Sequence, residues 1–152
     1  MASDLPIIAD WIASNPLWQR YQYSAAAASD GLTQALGRAD LLLTADLDGA
    51  RACGLAWCMP RGAFGRSVYL RLLGVQPGQH GAGLGAALLD AAEQRAAHLA
   101  REMFLLVSDF NESAQRFYRR QGYQQVGAIP GYVLPDVTEL IYWKRLPSPS
   151  ES

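Results

Sequence analysis

The chain has 152 residues, half of them hydrophobic, which suits one domain with one buried core. Net charge is −1 and the 13 Lys and Arg residues are scattered without a basic tract, which argues against a nucleic-acid partner. No run of about eighteen apolar residues occurs, so no membrane span is expected. The opening MASDLPIIADW carries acids early and lacks the basic segment of a secretory signal, so a soluble cytoplasmic protein is the expectation.

In chain order, DLPIIADWIAS has Ile7, Ile8, Trp11 and Ile12 at helical spacing. Ser24 is placed to cap AAAASDGLTQALGRA, a helix or helix pair interrupted near Gly31. LLLTA reads as a strand, DLDGA as a hairpin turn with Asp48-Gly49 at its tip, and RACGLAWCM as the antiparallel return. RGAFGRS is read as a loop and SVYLRLLGV as a third, long strand. QPGQHGAG leads into a helix whose apolar stripe is Leu84, Leu88, Leu89, Ala92, Ala96 and Leu99, with Asp90, Glu93, Gln94 and Arg101 on other faces. MFLLV reads as a short buried strand, and NESAQRFYRRQ as a helix stopped by Gly122. YQQVGAI reads as a strand, PGYVLPD as a loop and VTELIYWKRL as the last strand. This order predicts an α/β fold: a single mixed, mostly antiparallel sheet with helices on both faces and a central βαβ unit. The expected organisation is one domain over 1–146, followed by a tail, 147–152, that is disordered on composition.

Cys53 and Cys58 fall on one predicted strand. Five strand residues span roughly 16 Å, well beyond the ~7 Å Cα separation a disulfide bridges, and the odd spacing turns the two side chains to opposite faces. No Cys-x-x-Cys and no paired His is present, so no metal is expected.

The stretch HGAGLG, His80 to Gly85, is the strongest local signal. Its glycines sit where a helix begins, and the first turn of a helix offers unpartnered N–H groups at the positive end of its dipole. A loop poor in side chains there suits an anion, most often phosphate; the bland alternative is a tight turn with close helix packing. GAGLGA does fit the dinucleotide pattern G-x-G-x-x-G/A. In that fold, however, the strand runs almost directly into the first glycine, whereas Gln76 to His80, with Pro77, intervene here. A nucleotide P-loop requires Gly-Lys-Ser/Thr, and the single lysine of the chain is Lys144.

LLGVQPGQHGAGLGAALL followed by LLVSDFNESAQRFYRRQGY resembles the GCN5-related N-acetyltransferases. The first block of that family is a strand ending in Val-x-Pro, then Arg/Gln-x-x-Gly-x-Gly/Ala and a helix. Val75, Pro77, Gly83 and Gly85 fit it, while His80 stands at the leading position, next to Gln79. The second is Asn-x-x-Ala-x-x-Phe-Tyr-x-x-x-Gly-Phe/Tyr, matched by Asn111, Ala114, Phe117, Tyr118, Gly122 and Tyr123.

The resemblance implies an acetyl-CoA-dependent transfer of an acetyl group to a primary amine by direct attack. Acetyl-CoA would be a cosubstrate and no metal is implied. The pantetheine arm would pair with Leu73, Gly74 and Val75. The pyrophosphate would rest on His80, Gly81, Ala82, Gly83, Leu84, Gly85 and Ala86. Asn111 would touch the cofactor arm, or simply cap its helix. Tyr118 would be the general acid for the leaving thiolate, or simply a core aromatic beside Phe117. One branch of the family, the ribosomal-protein alanine acetyltransferases, carries a Glu where this chain has Leu106. The base is therefore open among Glu139, Asp136, Asp109, Asp46 and a water relay. The resemblance implies an amine acceptor, small molecule or peptide, near the segments that carry Trp11, Trp18, Tyr21, Tyr23 and Phe64 and near the loop before the last strand; aromatics at such spacing are more often core than cage. A homodimer is compatible with the resemblance. The alternative is a non-catalytic module of the same fold that binds acetyl-CoA or a peptide.

Overall fold

The computed structural model describes residues 2–47, 49–78 and 83–149. The elements are helices α1 (Leu5–Ser14), α2 (Pro16–Arg20) and α3 (Ala25–Gly37), strands β1 (Leu41–Leu47), β2 (Ala50–Ala63) and β3 (Ser67–Val75), helix α4 (Leu84–Ala96), strand β4 (Glu102–Ser108), helix α5 (Glu112–Arg120), and strands β5 (Gln124–Pro130) and β6 (Thr138–Arg145). The six strands form one sheet in the order β1-β2-β3-β4-β6-β5. β3 and β4 are parallel, as a βαβ unit requires, with Val68, Tyr69 and Leu70 opposite Met103, Phe104 and Leu105. The pairs β1–β2, β4–β6 and β5–β6 are antiparallel. Among the described residues no helix is long and apolar enough to cross a membrane.

Two compact units divide the chain, Met1–Cys58 with Leu72–Ala92, and Met59–Arg71 with Glu93–Ser152. In the first, Ile8, Ile12, Leu32 and Leu55 are fully buried together with Trp11, Trp57 and Leu72. Trp18 and Tyr23 pack against this core edge to face, their ring centroids 6.1 Å apart. Trp11 thus belongs to the core, and Trp18 and Tyr23 are half-buried against it. The indole N–H of Trp11 donates to the Ala52 carbonyl at 2.9 Å. Ala52 sits at φ +50, and its N–H donates to the Asp46 carboxylate at 2.7 Å. The register shift between Ala45 and Leu47 marks the bulge that those two bonds hold.

Three local expectations change. α3 runs unbroken through Gly31, because the glycine is needed for packing: a Cβ there would lie 3.2 Å from the Trp57 ring. RGAFGRS is mostly strand. β2 continues through Pro60 to Ala63, and only Phe64 to Arg66 turn, with Phe64 at φ +57 and Gly65 at φ +70. α2 was unforeseen, although Asn15-Pro16 announces it: the Asn15 side chain accepts the Leu17 N–H at 2.9 Å, and Pro16 occupies the first turn.

The α4 stripe also needs two corrections. Leu88, Leu89, Ala92 and Ala96 are buried as expected, but Leu99 lies beyond the helix and is exposed. Glu93, expected on a face other than the apolar stripe, is nevertheless buried, in the second unit. It accepts the Tyr123 hydroxyl at 2.8 Å and pairs with Lys144 at 2.8 Å. Lys144 also donates to the Gln121 carbonyl at 2.8 Å, so the end of α5 is tied to β6 through the one lysine of the chain. Cys53 and Cys58 are both buried free thiols, consistent with a packing role.

Candidate functional site

In the first unit, β3 ends on Leu73, Gly74 and Val75. A Cβ on Gly74 would come within 3.0 Å of the Trp11 ring, so packing alone requires a glycine there. The Gln76 N–H donates to the Cys53 carbonyl at 2.7 Å, which anchors the chain just past the strand. Gly78 and Gly83 both have positive φ, +93 and +72, and among the described residues nothing lies within 4 Å of the position a Cβ would take at either.

His80, Gly81 and Ala82 lie outside the described residues, as does Gln79. Gly83 itself caps α4: its carbonyl accepts the Ala87 N–H at 3.1 Å. The N–H groups of Leu84, Gly85 and Ala86 belong to the first turn, where helical geometry supplies no partner. α4 packs closely on β2, since a Cβ on Gly54 would stand 2.7 Å from the Leu88 side chain. α4 thus presents the positive end of a thirteen-residue helix at Gly83.

In the second unit, Asn111 caps α5. Its Oδ1 accepts the Ala114 N–H and the Ser113 hydroxyl, both at 3.3 Å. The cap engages the amide oxygen, and the Nδ2 of the same amide is a double donor. Tyr118 lies on α5 between two aromatic neighbours, edge to face with Phe117 at 5.1 Å and with Tyr123 at 5.7 Å. Its ring is therefore held on two sides. The cap expected of Asn111 and the aromatic packing expected of Tyr118 are both present.

The four carboxylate candidates separate by environment. Asp46 holds the β2 bulge through the Ala52 N–H. Asp109 and Asp136 are exposed. Glu139 is buried on β6, its Oε2 accepting the Ser108 hydroxyl at 3.4 Å. Ser108 and Glu139 stand directly opposite each other, and Ile129 faces Glu139 from the other side. Leu106, at the position where one branch has Glu, stands opposite Ile141.

A cavity of about 250 Å³ opens on this face of the second unit. Its walls are the aromatic side chains of Phe64, Tyr69, Phe104 and Tyr132 with Leu106 and Ile141. Phe64 stands edge to face with Phe104 at 5.5 Å and is 81 % exposed. Burial pushes the Tyr69 phenol above the usual tyrosine range; Arg71 pulls it down, while Tyr132 and Glu139 push it further up. The phenol therefore stays protonated at neutral pH and can donate a hydrogen bond. Composition gave no reason to single out Tyr69 or Tyr132. The alternation of SVYLRLLGV was the available signal for Tyr69, but its partner strand was needed to locate the cavity.

The profile of the acetyltransferase (GNAT) family matches residues 6–123. Among solved structures, Ard1 from Thermoplasma volcanium superposes with a TM-score of 0.80 at 17 % identity, over 97 % of this chain and 95 % of that one. Ribosomal-protein-alanine N-acetyltransferase from Brucella melitensis gives 0.78 at 18 %, covering 96 % of each chain. A phosphinothricin acetyltransferase from Sinorhizobium meliloti, in complex with AcCoA, gives 0.77 at 17 %, over 100 % of this chain and 88 % of that one. At these identities the likeness establishes the fold, a mixed open sheet with helices, while the family match over residues 6–123 establishes the lineage: the chain belongs to the acetyltransferase (GNAT) family.

Proposed function

We propose that the protein transfers the acetyl group of acetyl-CoA to a primary amine by direct attack, with Tyr118 as general acid. The observation that carries this reading is the start of α4. Gly83 is left-handed, a Cβ there would meet nothing within 4 Å among the described residues, and helical geometry gives the three N–H groups that follow no partner. A pyrophosphate suits that position better than any side chain does, because the charge meets both the N–H groups and the helix dipole. The solved relative that carries AcCoA supports the same ligand.

The residues divide the work. Leu73, Gly74 and Val75 offer strand backbone to the pantetheine arm. Residues His80 to Ala86 receive the phosphates, with Gly83 and the first turn of α4 supplying N–H donors. The Nδ2 of Asn111, left over from the cap, donates to the arm. Acetyl-CoA, when bound, supplies an acetyl thioester whose C–S bond breaks as the amine nitrogen forms the new C–N bond. Tyr118 delivers its proton to the departing sulfur, and the nitrogen gives up a proton to restore the phenol. The ammonium proton lost before attack goes to solvent, by way of Glu139 or water.

Thiol release measured over a panel of primary amines tests the reading directly. Turnover with at least one amine is expected. Tight acetyl-CoA binding without release against any amine class would instead favour the non-catalytic module.

A further inference from the structure

The cavity beside β4 has a composition that restricts what it can hold. Phe64, Tyr69, Phe104, Leu106, Tyr132 and Ile141 present aromatic and branched apolar surface, and none of its liners is acidic. About 250 Å³ is enough for one ring-sized group, since an apolar cavity of roughly 150 Å³ accommodates benzene. Phe64 is held out of the core, 81 % exposed and at φ +57, where most side chains are strained. An exposed phenyl fixed in that way at a cavity mouth is a surface that gains by being covered.

One carboxylate belongs to the same face. Residues directly opposite across strands share a face. Ile129 lines the cavity and stands opposite Glu139, and the next row pairs the liners Leu106 and Ile141. Glu139 is thus one row along from an apolar wall. Tyr69 lies on that wall, and among the charged neighbours of its phenol Arg71 outweighs Glu139. One anion at the edge of an apolar hollow complements one ammonium on an apolar body. A polycation would need several carboxylates, and the lining supplies none.

We propose that this cavity is the acceptor site, and that the acceptor is a primary amine bearing one aromatic or branched apolar group, its ring among Phe64, Phe104 and Tyr132 and its ammonium toward Glu139. The assignment rests on the acetyl-transfer reading and narrows it to a substrate class.

The test uses the full chain with acetyl-CoA and three probes: 2-phenylethylamine, ethylamine and the polycation kanamycin. Thiol release gives kcat/KM for each, and calorimetry gives acetyl-CoA affinity separately. A pocket that receives the ring should favour 2-phenylethylamine over ethylamine by about 10²-fold, since each buried methylene is worth roughly tenfold or more; kanamycin should also rank below it. Phe64→Ala and Tyr132→Ala, both at exposed positions, should raise KM for 2-phenylethylamine about tenfold with acetyl-CoA affinity unchanged. Glu139→Gln should raise KM for the amine without moving KM for acetyl-CoA. Equal rates for the probes, a preference for kanamycin, or variants that alter self-association instead of KM would overturn the acceptor assignment and leave acetyl transfer standing. Failure to bind acetyl-CoA at all would overturn both.

Discussion

Tyr118 is braced by Phe117 and Tyr123, so removing its hydroxyl leaves the ring with the same neighbours. If that hydroxyl protonates the leaving sulfur, it acts chiefly in the transition state. Tyr118→Phe should then lower kcat by roughly 10²-fold or more, with KM for acetyl-CoA little changed. Nearly normal turnover in a folded Phe variant would move the acid role elsewhere. Glu93 and Lys144 form the other residue-scale commitment. The pair is mostly buried, and Glu93 also receives the Tyr123 hydroxyl. Lys144→Met would strand that carboxylate and should cost about 3 kcal/mol in a urea melt. Replacing both residues with Met should restore much of the loss, because paired charges in a low-dielectric site contribute little over a packed apolar pair. A double variant no better than the single one would mean that Lys144 stabilises by its bond to the Gln121 carbonyl instead. None of this was visible from the helical wheel of α4. The wheel located the apolar stripe, but the partner that makes a glutamate burial tolerable comes from β6, 51 residues away.

At the scale of elements, caps and close approaches explain what was legible. Ser24 and Asn111 each cap the helix that follows, accepting the N–H three residues on. Asn111→Ala should therefore cost about 1 kcal/mol, seen as a lower urea midpoint. Asn111→Asp keeps an oxygen for the cap but removes the Nδ2 donor. It should hold stability near wild type while weakening acetyl-CoA binding, which calorimetry reads. Equal affinity in the Asp variant would leave Asn111 with a capping role alone. Where reading by element failed, a tertiary contact had overridden a local cue. Gly31 looked like a helix breaker, yet its missing Cβ is filled by the Trp57 ring. The glycines of RGAFGRS suggested a loop, yet Gly62 sits within β2, where a Cβ would lie 2.7 Å from Met59 and 2.8 Å from Tyr69.

For the whole molecule, the parallel β3–β4 pair followed from the succession of hydrophobic periods, because a strand–helix–strand unit leaves few other topologies, whereas the insertion of β6 between β4 and β5 depends on pairing that no local period announces. The start of α4 was legible too, since glycines before an apolar helix have a mechanical meaning whatever ligand they serve. The cavity around Phe64 was not. It is assembled from the end of β2, the turn after it, β3, β4, β5, β6 and the loop between the last two strands, and no local pattern in any of them announces the others. Family membership places the chain among the GNAT acetyltransferases; the acceptor proposed above rests on that hollow.

Whether the pyrophosphate of acetyl-CoA meets backbone N–H groups at the start of α4 can be decided by calorimetry on a matched pair of variants. Gly83 has φ +72, a conformation that Asn and Asp both tolerate, and a Cβ there meets nothing within 4 Å among the described residues. Gly83→Asn and Gly83→Asp thus differ in charge and hardly in shape. Two charges about 4 Å apart at a protein surface interact by roughly 4 kcal/mol. The account predicts that wild type binds acetyl-CoA, that the Asn variant stays within about tenfold of it, and that the Asp variant loses on the order of 10²-fold or more. Equal affinity in the Asn and Asp variants, or no binding by wild type, would contradict it.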